Sequence, residues 1–282
     1  MNITLVYNPK SGSSLSRQTL RKKCDAANIT IDKFVAIGDG FERKLSSAIT
    51  AGASIAVIGG DGTVSAVAGL VANTKATLIP LPGGTLNHFT KDLDIPQDVD
   101  EALARLRRLK PHTIDIASVN DMMFINNSSI GLYPASLRSR EKLESKLSKW
   151  SAAVVASWRA FINLQTYRVT IDDKSFATPF IFIGNNRYKL DDIGTTERTR
   201  LDEGVLTVYI AKTRSRFTLL KIALFALIGR AAQLDEFEQF YPTTLTIETT
   251  RQHLSVSHDG EVSRLTSPLR YTVHPKSLKI LG

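Results

Sequence analysis

The chain has 282 residues, of which 43% are hydrophobic and 22% are charged, which suits one large globular domain or two of ordinary size. A single cysteine, Cys24, excludes an internal disulfide, and no cysteine–histidine cluster suggests zinc, so we expect a reducing, cytoplasmic setting. The net charge of +9 favours an anionic partner. Because there is no RNA-binding aromatic motif or zinc finger, we expect an anionic lipid surface or a phosphorylated ligand, and no nucleic acid.

The first residues predict a strand, with no basic segment followed by a longer apolar one, so no signal peptide is expected. Short apolar runs then alternate with segments of helical periodicity. The predicted strands are Ile3–Tyr7, Ile29–Phe34, Ile55–Ile58, Thr77–Leu81 and Ile114–Val119, and the predicted helices are Leu15–Ala27, Phe41–Ala51, one after Thr63, and Val99–Leu109. This alternation is typical of an α/β domain, with a parallel sheet covered by helices on both faces.

The stretch from Ile55 to Leu70 is the centre of this domain. A buried strand runs directly into the loop 59–63, which reads Gly-Gly-Asp-Gly-Thr, and helical periodicity follows. Glycines let a ligand approach the bare backbone, and the N-terminus of the helix favours a phosphate. Asp61 adds a carboxylate, which suits a metal ion or a reacting hydroxyl group. Taken alone, the motif is also compatible with an ordinary tight turn.

Two further loops of small residues follow predicted strands. The loop 8–14 reads Asn-Pro-Lys-Ser-Gly-Ser-Ser, and the loop 82–87 reads Pro-Gly-Gly-Thr-Leu-Asn. In parallel sheets, ligands bind beyond the carboxyl ends of the strands. Three such loops at one edge therefore predict a phosphate or nucleotide site more strongly than any one of them.

The pattern changes after about residue 119. A long basic helix is predicted at 135–163, and short strands dominate the rest. These strands are Met122–Asn127, Tyr167–Ile171, Phe180–Gly184, Val205–Ile210, Leu245–Glu248, His253–Ser257 and Arg270–Val273. We predict a nucleotide-binding domain at 1–119 and a mainly antiparallel, β-rich acceptor domain at 120–267, and leave open whether 268–282 returns to the first domain.

Phe217–Ala232 is predicted to be helical, and its central part, Ile222–Ile228, is apolar on every side. It is too short to span a bilayer, which needs about 20 apolar residues. One interpretation is a buried helix of the second domain. The other is a surface that touches lipid, because basic residues flank it. These residues are Arg214, Arg216, Lys221 and Arg230.

Three motifs together resemble the diacylglycerol kinase catalytic-domain family, which includes bacterial lipid kinases, sphingosine kinases and ceramide kinases. They are Asn8-Pro-x-Ser11-Gly12, Gly59-Gly60-Asp61-Gly62-Thr63 and Pro82-Gly83-Gly84-Thr85-x-Asn87. The likeness continues through Asp115 in an Ile-Asp-Ile strand, the segments 126–131 and 201–206, and His258-Asp259-Gly260-Glu261. Gly-Gly-Asp-Gly alone also occurs in NAD kinases, but the combination is specific and covers nearly the whole chain.

The resemblance implies a first domain like those of phosphofructokinases and NAD kinases, followed by a β-sandwich. ATP would lie in the cleft, and its γ-phosphate would pass to a lipid hydroxyl with Mg²⁺ present. The loops would bind the nucleotide, because phosphoryl transfer depends on positioning and charge neutralisation. The expected cofactor-binding residues are Asn8, Ser11, Gly12, Gly60, Asp61, Gly62, Thr63, Gly84, Thr85 and Asn87.

Three carboxylates are the catalytic candidates. By analogy with the family, Asp61 lies near the nucleotide phosphates, Asp259 corresponds to a proposed general base, and Glu261 lies on the same turn. A base must lie within about 3 Å of the hydroxyl that it deprotonates, and the sequence does not identify which carboxylate does. Without the family pattern, Asp259-Gly260 would be interpreted as a hairpin turn.

The sequence departs from many bacterial members at three positions. It has Ser13 in place of a lysine, His88 in place of an aspartate, and Glu203 in place of an aspartate. In some members these positions help to build a charged network and a structural magnesium site, so Glu203 is the candidate metal ligand. For His88, the alternative is a polar residue at the start of a short helix.

Our interpretation is an ATP-dependent lipid kinase, cytoplasmic and peripherally bound to a membrane, with diacylglycerol as the default acceptor and a homodimer left open. Two alternatives are a kinase for a soluble acceptor such as NAD, and a nucleotide- or lipid-binding regulator without turnover. The apolar helix with basic flanks and the Pro-Gly-Gly-Thr-x-Asn motif argue against the NAD kinase.

Overall fold

The computed structural model describes residues 1–9, 15–131, 166–171, 174–188, 198, 200–213, 215–227 and 234–282. These residues divide into two compact units. The first contains 1–116, 122–125 and 274–282, and the second contains 117–121 and 126–273. The domain boundaries at 1–119 and 120–267 stay a prediction. The helix predicted at 135–163 lies outside the described residues.

The first unit is built on four parallel strands in the order β2-β1-β3-β4. They are β1 (Asn2–Tyr7), β2 (Thr30–Ala36), β3 (Ser54–Gly59) and β4 (Thr77–Pro82). The intervening helices are α1 (Arg17–Ala26), α2 (Phe41–Thr50), α3 (Asp61–Val71), α4 (His88–Asp92) and α5 (Val99–Arg105), followed by a 3-10 turn at Leu106–Arg108. The predicted α/β class is confirmed. The two central strands β3 and β4 are almost entirely buried, which is why they read as continuous apolar runs.

The register of the central strands determines where their loops lie. Gly59 at the end of β3 pairs with Pro82 at the end of β4, and Tyr7 at the end of β1 pairs with Ile58. The three strands therefore end at the same edge of the sheet, and the loops that follow them start side by side.

Strand β16 (Leu269–Leu281) contributes to both units. Its last part runs parallel to β4, with Ile280 paired to Leu78, and its first part runs antiparallel to β13. Between these parts, Lys276 has a positive φ of 51°, and its backbone N–H donates to Oδ1 of the fully buried Asp115 at 2.8 Å. Asp115 on β5 (Pro111–Val119) thus fixes the change of direction in β16.

The second unit is mainly antiparallel, as predicted. Among the described residues, one of its sheets has the order β12-β11-β10-β7-β14-β15. Its strands are β7 (Asn127–Gly131), β10 (Phe180–Asn185), β11 (Leu206–Ala211), β12 (Phe237–Phe240), β14 (His253–His258) and β15 (Glu261–Thr266). Strand β8 (Tyr167–Ile171) pairs with β9 (Lys174–Thr178) on one side and with β13 (Thr244–Thr249) on the other, and β13 also pairs with β16.

The strand predicted at Met122–Asn127 is wrong as one element. The structure has β6 (Met122–Phe124) in the first unit and begins β7 at Asn127 in the second. The reason is a chain bend at Ile125–Asn126, where the backbone N–H of Asn126 donates to a side chain, Oδ1 of Asp259 (2.8 Å).

Helix α6 (Arg216–Leu227) overlaps the segment Phe217–Ala232, which the sequence predicts to be helical. The side chain of Ser215 accepts the backbone N–H of Thr218 at 3.3 Å, which supports the first turn. Leu219 and Ile222 are buried in a cluster with Ala211 and Leu234, so one side of the helix packs on the protein. No helix among the described residues is both long and apolar enough to cross a membrane.

Candidate nucleotide and acceptor sites

The loops after β3 and β4 touch through their backbones. A Cβ atom added to Gly84 would lie 2.5 Å from Cα of Gly60, and one added to Gly83 would lie 2.6 Å from the backbone nitrogen of Gly59. Side chains do not fit at these distances, so glycine is required for close approach. Two of the predicted nucleotide-binding residues, Gly60 and Gly84, are therefore brought together.

Asn8, the first residue after β1, lies at the same edge. Nδ2 of Asn8 donates to Oγ1 of Thr63 at 3.2 Å, and the backbone N–H of Asn8 donates to the carbonyl of Ile58 at 3.4 Å. Asn8 thus fastens the end of β1 to the first turn of α3. Ser11 and Gly12 lie outside the described residues, and their nucleotide-binding role stays a prediction.

The N-terminus of α3 supplies backbone donors. Gly60 is the N-cap residue and gives no side-chain cap, and Val64 donates the first intrahelical bond, to the carbonyl of Gly60 at 3.1 Å. The N–H groups of residues 61–63 precede this bond and have no acceptor within the helix. Such groups, at the positive end of an 11-residue helix, suit an anion.

Asn87 closes the loop after β4. Its Oδ1 accepts the backbone N–H of Gly84 at 2.8 Å, and its own backbone is left-handed, with φ 52°, a conformation that asparagine tolerates. The Gly84 N–H is therefore used inside the loop. Asn87 fixes the shape of the loop, and Gly84 contributes through its close contact with Gly60.

The carboxylate of Asp61 is held in place by a neighbouring helix. Its Oδ1 accepts the backbone N–H of Phe89 at 3.1 Å, in the first turn of α4. Asp61 itself is the first residue of α3, so the carboxylate lies at the N-termini of two helices. His88 is exposed at the start of α4, which agrees with the alternative that we gave for it.

In the second unit, Asp259 is both a turn residue and a buried carboxylate. His258 pairs with Glu261, and the two residues between them have φ values of 44° and 86°, as in a hairpin turn of type I′. Asp259 is only 7% exposed. Its Oδ1 accepts two backbone N–H groups, from Asn126 at 2.8 Å and Asn127 at 3.1 Å. Glu261 is exposed on β15.

Sequence reasoning missed Arg198, which is 4% exposed. Its guanidinium group donates from Nη2 to Oδ1 of Asn126 at 2.7 Å and from Nη1 to the carbonyl of Asn185 at 3.2 Å. Tyr188 adds a bond from its hydroxyl to the carbonyl of Asn126 at 2.8 Å. This group of contacts fixes Asn126, whose N–H holds Asp259. No sequence signal separates Arg198 from its exposed neighbour Arg200.

Glu203 is used to hold its own loop. Its Oε2 accepts the backbone N–H of Arg187 at 3.0 Å, the Arg187 Nε lies 3.9 Å from Oε1, and the Glu203 N–H donates to Oδ1 of Asn186 at 2.8 Å. The described residues contain no group of three or more metal-binding side chains. The metal role of Glu203 stays a prediction. Asp61 is a second carboxylate that could hold Mg²⁺, because this ion is usually bound by one or two carboxylates together with substrate phosphates.

Two family models match consecutive parts of the chain. Residues 2–119 match the family model of the diacylglycerol kinase catalytic domain, and residues 136–282 match that of the YegS C-terminal NAD kinase beta sandwich-like domain. A Staphylococcus aureus (strain bovine RF122 / ET3-1) protein named "Putative lipid kinase SAB0675c" is 25% identical over 237 residues, covering 80% of this chain and 75% of the relative.

Solved structures share the fold. A Bacillus anthracis str. Sterne structure described as a "putative diacylglycerol kinase" aligns with a TM-score of 0.75 at 22% identity, covering 99% of this chain and 96% of the other. A second one, described as a diacylglycerol kinase from the same strain, has a TM-score of 0.69 at 19% identity with the same coverage. The motifs, the fold and the two family models agree: the chain belongs to the diacylglycerol kinase catalytic-domain family of kinases, with a YegS-type C-terminal domain.

Proposed function

We propose that this protein transfers the γ-phosphate of ATP to a hydroxyl group of a lipid at a membrane surface, and that diacylglycerol is the acceptor. The observation that carries the proposal is that Asn8 and the loops after β3 and β4 meet around the N-terminus of α3. The names of the related proteins support a lipid as the acceptor.

The proposed nucleotide site works by positioning. The N–H groups of residues 61–63 bind phosphate oxygens, and the glycines at 60 and 84 let the phosphates approach the backbone. Asn8, Thr63 and Asn87 hold the loops in register. Asp61 is the carboxylate that would hold Mg²⁺, and the ion would neutralise the charge on the phosphates when bound with the nucleotide.

The proposed acceptor site centres on Asp259. Two backbone N–H groups donate to Oδ1 of Asp259 and hold the carboxyl group in place, and an ionised carboxylate can accept the proton of a lipid hydroxyl. Arg198 and Asn126 hold this carboxylate through the contacts above. Glu261, on the same hairpin, is the second candidate for the base.

A transfer assay tests the proposal. Labelled γ-phosphate is followed from ATP and Mg²⁺ to diacylglycerol, monoacylglycerol, sphingosine or ceramide in mixed micelles, with NAD as the soluble control. A labelled lipid is the expected product. Labelled NADP as the product would show that the acceptor is soluble and not a lipid. ATP binding without any labelled product would favour a regulator without kinase activity.

Two variants of Asp61 separate charge from structure. Asp61→Asn keeps an oxygen that can accept the Phe89 N–H but removes the negative charge, whereas Asp61→Ala removes both. We expect Asp61→Asn to fold with nearly unchanged stability and to lose about 10²–10³ in kcat, as for loss of a group that stabilises transition-state charge. Asp61→Ala should lose activity and some stability. Full turnover by a folded Asp61→Asn variant would remove Asp61 from the mechanism.

A further inference from the structure

We propose that the N-terminal half of α6 is a membrane-insertion surface, and that Phe217 and Leu220 enter the interface of a bilayer that contains anionic lipids. The inference rests on the proposed function, because that function places the acceptor in a membrane. It identifies which part of the protein meets the lipid.

The exposure of two large apolar side chains is the first observation. Phe217 is 86% exposed and Leu220 is 49% exposed. They are three positions apart on a helix and so lie on one side of it. Leu219 and Ile222 are buried instead and pack with Ala211 and Leu234. The buried side explains how α6 is anchored, but packing within the protein does not explain Phe217.

The charge of the segment is the second observation. Residues 212–234 contain five basic residues and no acidic residue. The basic residues are Lys212, Arg214, Arg216, Lys221 and Arg230. Apolar side chains on a helix with basic neighbours are typical of elements that lie in the interface of an anionic membrane.

Both lysines of this segment have acidic neighbours. Nζ of Lys212 lies 3.3 Å from Glu238, and Nζ of Lys221 lies 3.6 Å from Glu236. All four side chains are at least 30% exposed, and ion pairs in that setting are weak. Residues 212–240 contain five basic residues and three acidic ones, at 235, 236 and 238. The net charge of the segment is therefore positive. Lipid phosphates can therefore compete for these lysines.

A lipid surface fits the patch better than a protein partner does. A stable protein interface buries about 800 Å² on each side, whereas one aromatic side chain buries only about 150–250 Å². Phe217 and Leu220 together fall well short of a protein interface. Shallow insertion into a bilayer needs no more than a few apolar side chains.

A fluorescent probe at position 217 tests the proposal directly. The variant Phe217→Cys is labelled with an environment-sensitive dye at neutral pH. Burial raises the pKa of the Cys24 thiol to about 11, so the native cysteine does not compete for the label. The matched control is Ser47→Cys, at an exposed position on α2 in the first unit.

Vesicles of phosphatidylcholine with phosphatidylglycerol are compared with vesicles of phosphatidylcholine alone. We expect the probe at 217 to shift to the blue and brighten with the anionic vesicles, and the probe at 47 to stay unchanged. No response at 217 to either vesicle, or equal responses at 217 and 47, would overturn the proposal.

Substitutions then measure the contribution of the side chain. Phe217→Ser should lower the partition coefficient onto anionic vesicles by about tenfold or more, because a large apolar side chain no longer leaves water, and Phe217→Leu should stay close to wild type. Equal partitioning of the serine and leucine variants would overturn the proposal. So would a wild-type dimer that Phe217→Ser converts to a monomer, because the patch would then be a subunit contact.

The proposed kinase activity and the proposed membrane insertion can be tested independently. With a short-chain diacylglycerol dissolved as monomers, Phe217→Ser should keep the wild-type kcat, and with anionic vesicles it should lose activity in proportion to binding. A wild-type protein that phosphorylates neither substrate refutes the proposed function, while the probe at 217 still reports on insertion. Equal loss on both substrates would refute the membrane role of Phe217.

Discussion

The contact between the two glycine loops makes Gly84→Ala the sharpest test of the nucleotide site. The added Cβ would lie 2.5 Å from Cα of Gly60, 3.0 Å from Oδ1 of Asn87 and 3.2 Å from the nitrogen of Gly60. Two of these atoms belong to the backbone, and Asn87 is fixed by its bond to the Gly84 N–H. No neighbour can move away without moving a loop.

The size of the effect follows from the distances. Ordinary contact with a Cβ begins at 3.4 Å, so the loops must separate by 3.4 − 2.5 = 0.9 Å. Overpacking of this kind lowers the free energy of unfolding by about 1–3 kcal/mol. Since a misplacement of about 1 Å in an active site can cost about 10²-fold in rate, we expect a larger loss in kinase activity than in stability.

Urea denaturation, titration with a fluorescent ATP analogue and the kinase assay measure these effects. Gly60→Ala is the matched control for stability, because its Cβ would meet the Cα of Gly84 at 3.6 Å, an ordinary contact, and its free energy of unfolding should stay within about 0.5 kcal/mol of wild type. If Gly84→Ala has the stability and ATP affinity of wild type, the two loops do not touch in solution and the reasoning is wrong.

Three further predictions follow from single contacts. Asn87→Ala should lower the free energy of unfolding by about 2 kcal/mol, and Asn87→Gly by about 1 kcal/mol, because both lose the bond to Gly84 but glycine keeps the left-handed backbone; urea denaturation checks the order. Arg198→Met should lower the same free energy by about 2–3 kcal/mol, since Oδ1 of Asn126 loses a charged donor, and unchanged stability would contradict the buried position. Because burial raises the pKa of Cys24 from 9.0 to about 11, a thiol reagent at pH 8 should label the protein only after unfolding, and stability should fall as pH rises from 9 towards 11, where the unfolded thiol ionises first.

The central strands and their loops could be predicted because both leave local signals. A strand covered on both faces needs an apolar run, and a close loop contact needs glycine, so β3, β4 and the glycine loops could be located from composition. The start of α3 at Asp61 could not be predicted in this way. Its first turn, from Asp61 to Thr63, contains only polar residues and glycine and therefore shows no apolar periodicity. The contact of Gly84 with Gly60 depends on the pairing of β3 with β4, which is not local.

The second unit was harder to predict for two reasons. Strand β15 contains only partly buried and exposed residues, so its sequence lacks a strong apolar signal. Arg198 is separated from its partner Asn126 by 72 residues, and the sequence does not show whether an arginine is buried or exposed. By contrast, Asp259 was found through a motif, although the motif does not show that its carboxylate is held by Asn126 and Asn127.

Strand β16 has a consequence for how the chain folds during synthesis. The first unit begins at residue 1, yet its sheet takes in residues 274–282, where Ile280 pairs beside Leu78 on β4. A ribosome must therefore translate the whole second unit before β4 gains this neighbour. Until then the edge of β4 exposes unpaired backbone groups, which is a risk for aggregation. We expect a truncation after residue 273 to leave the nucleotide-binding unit prone to aggregation, even though every glycine loop is already present.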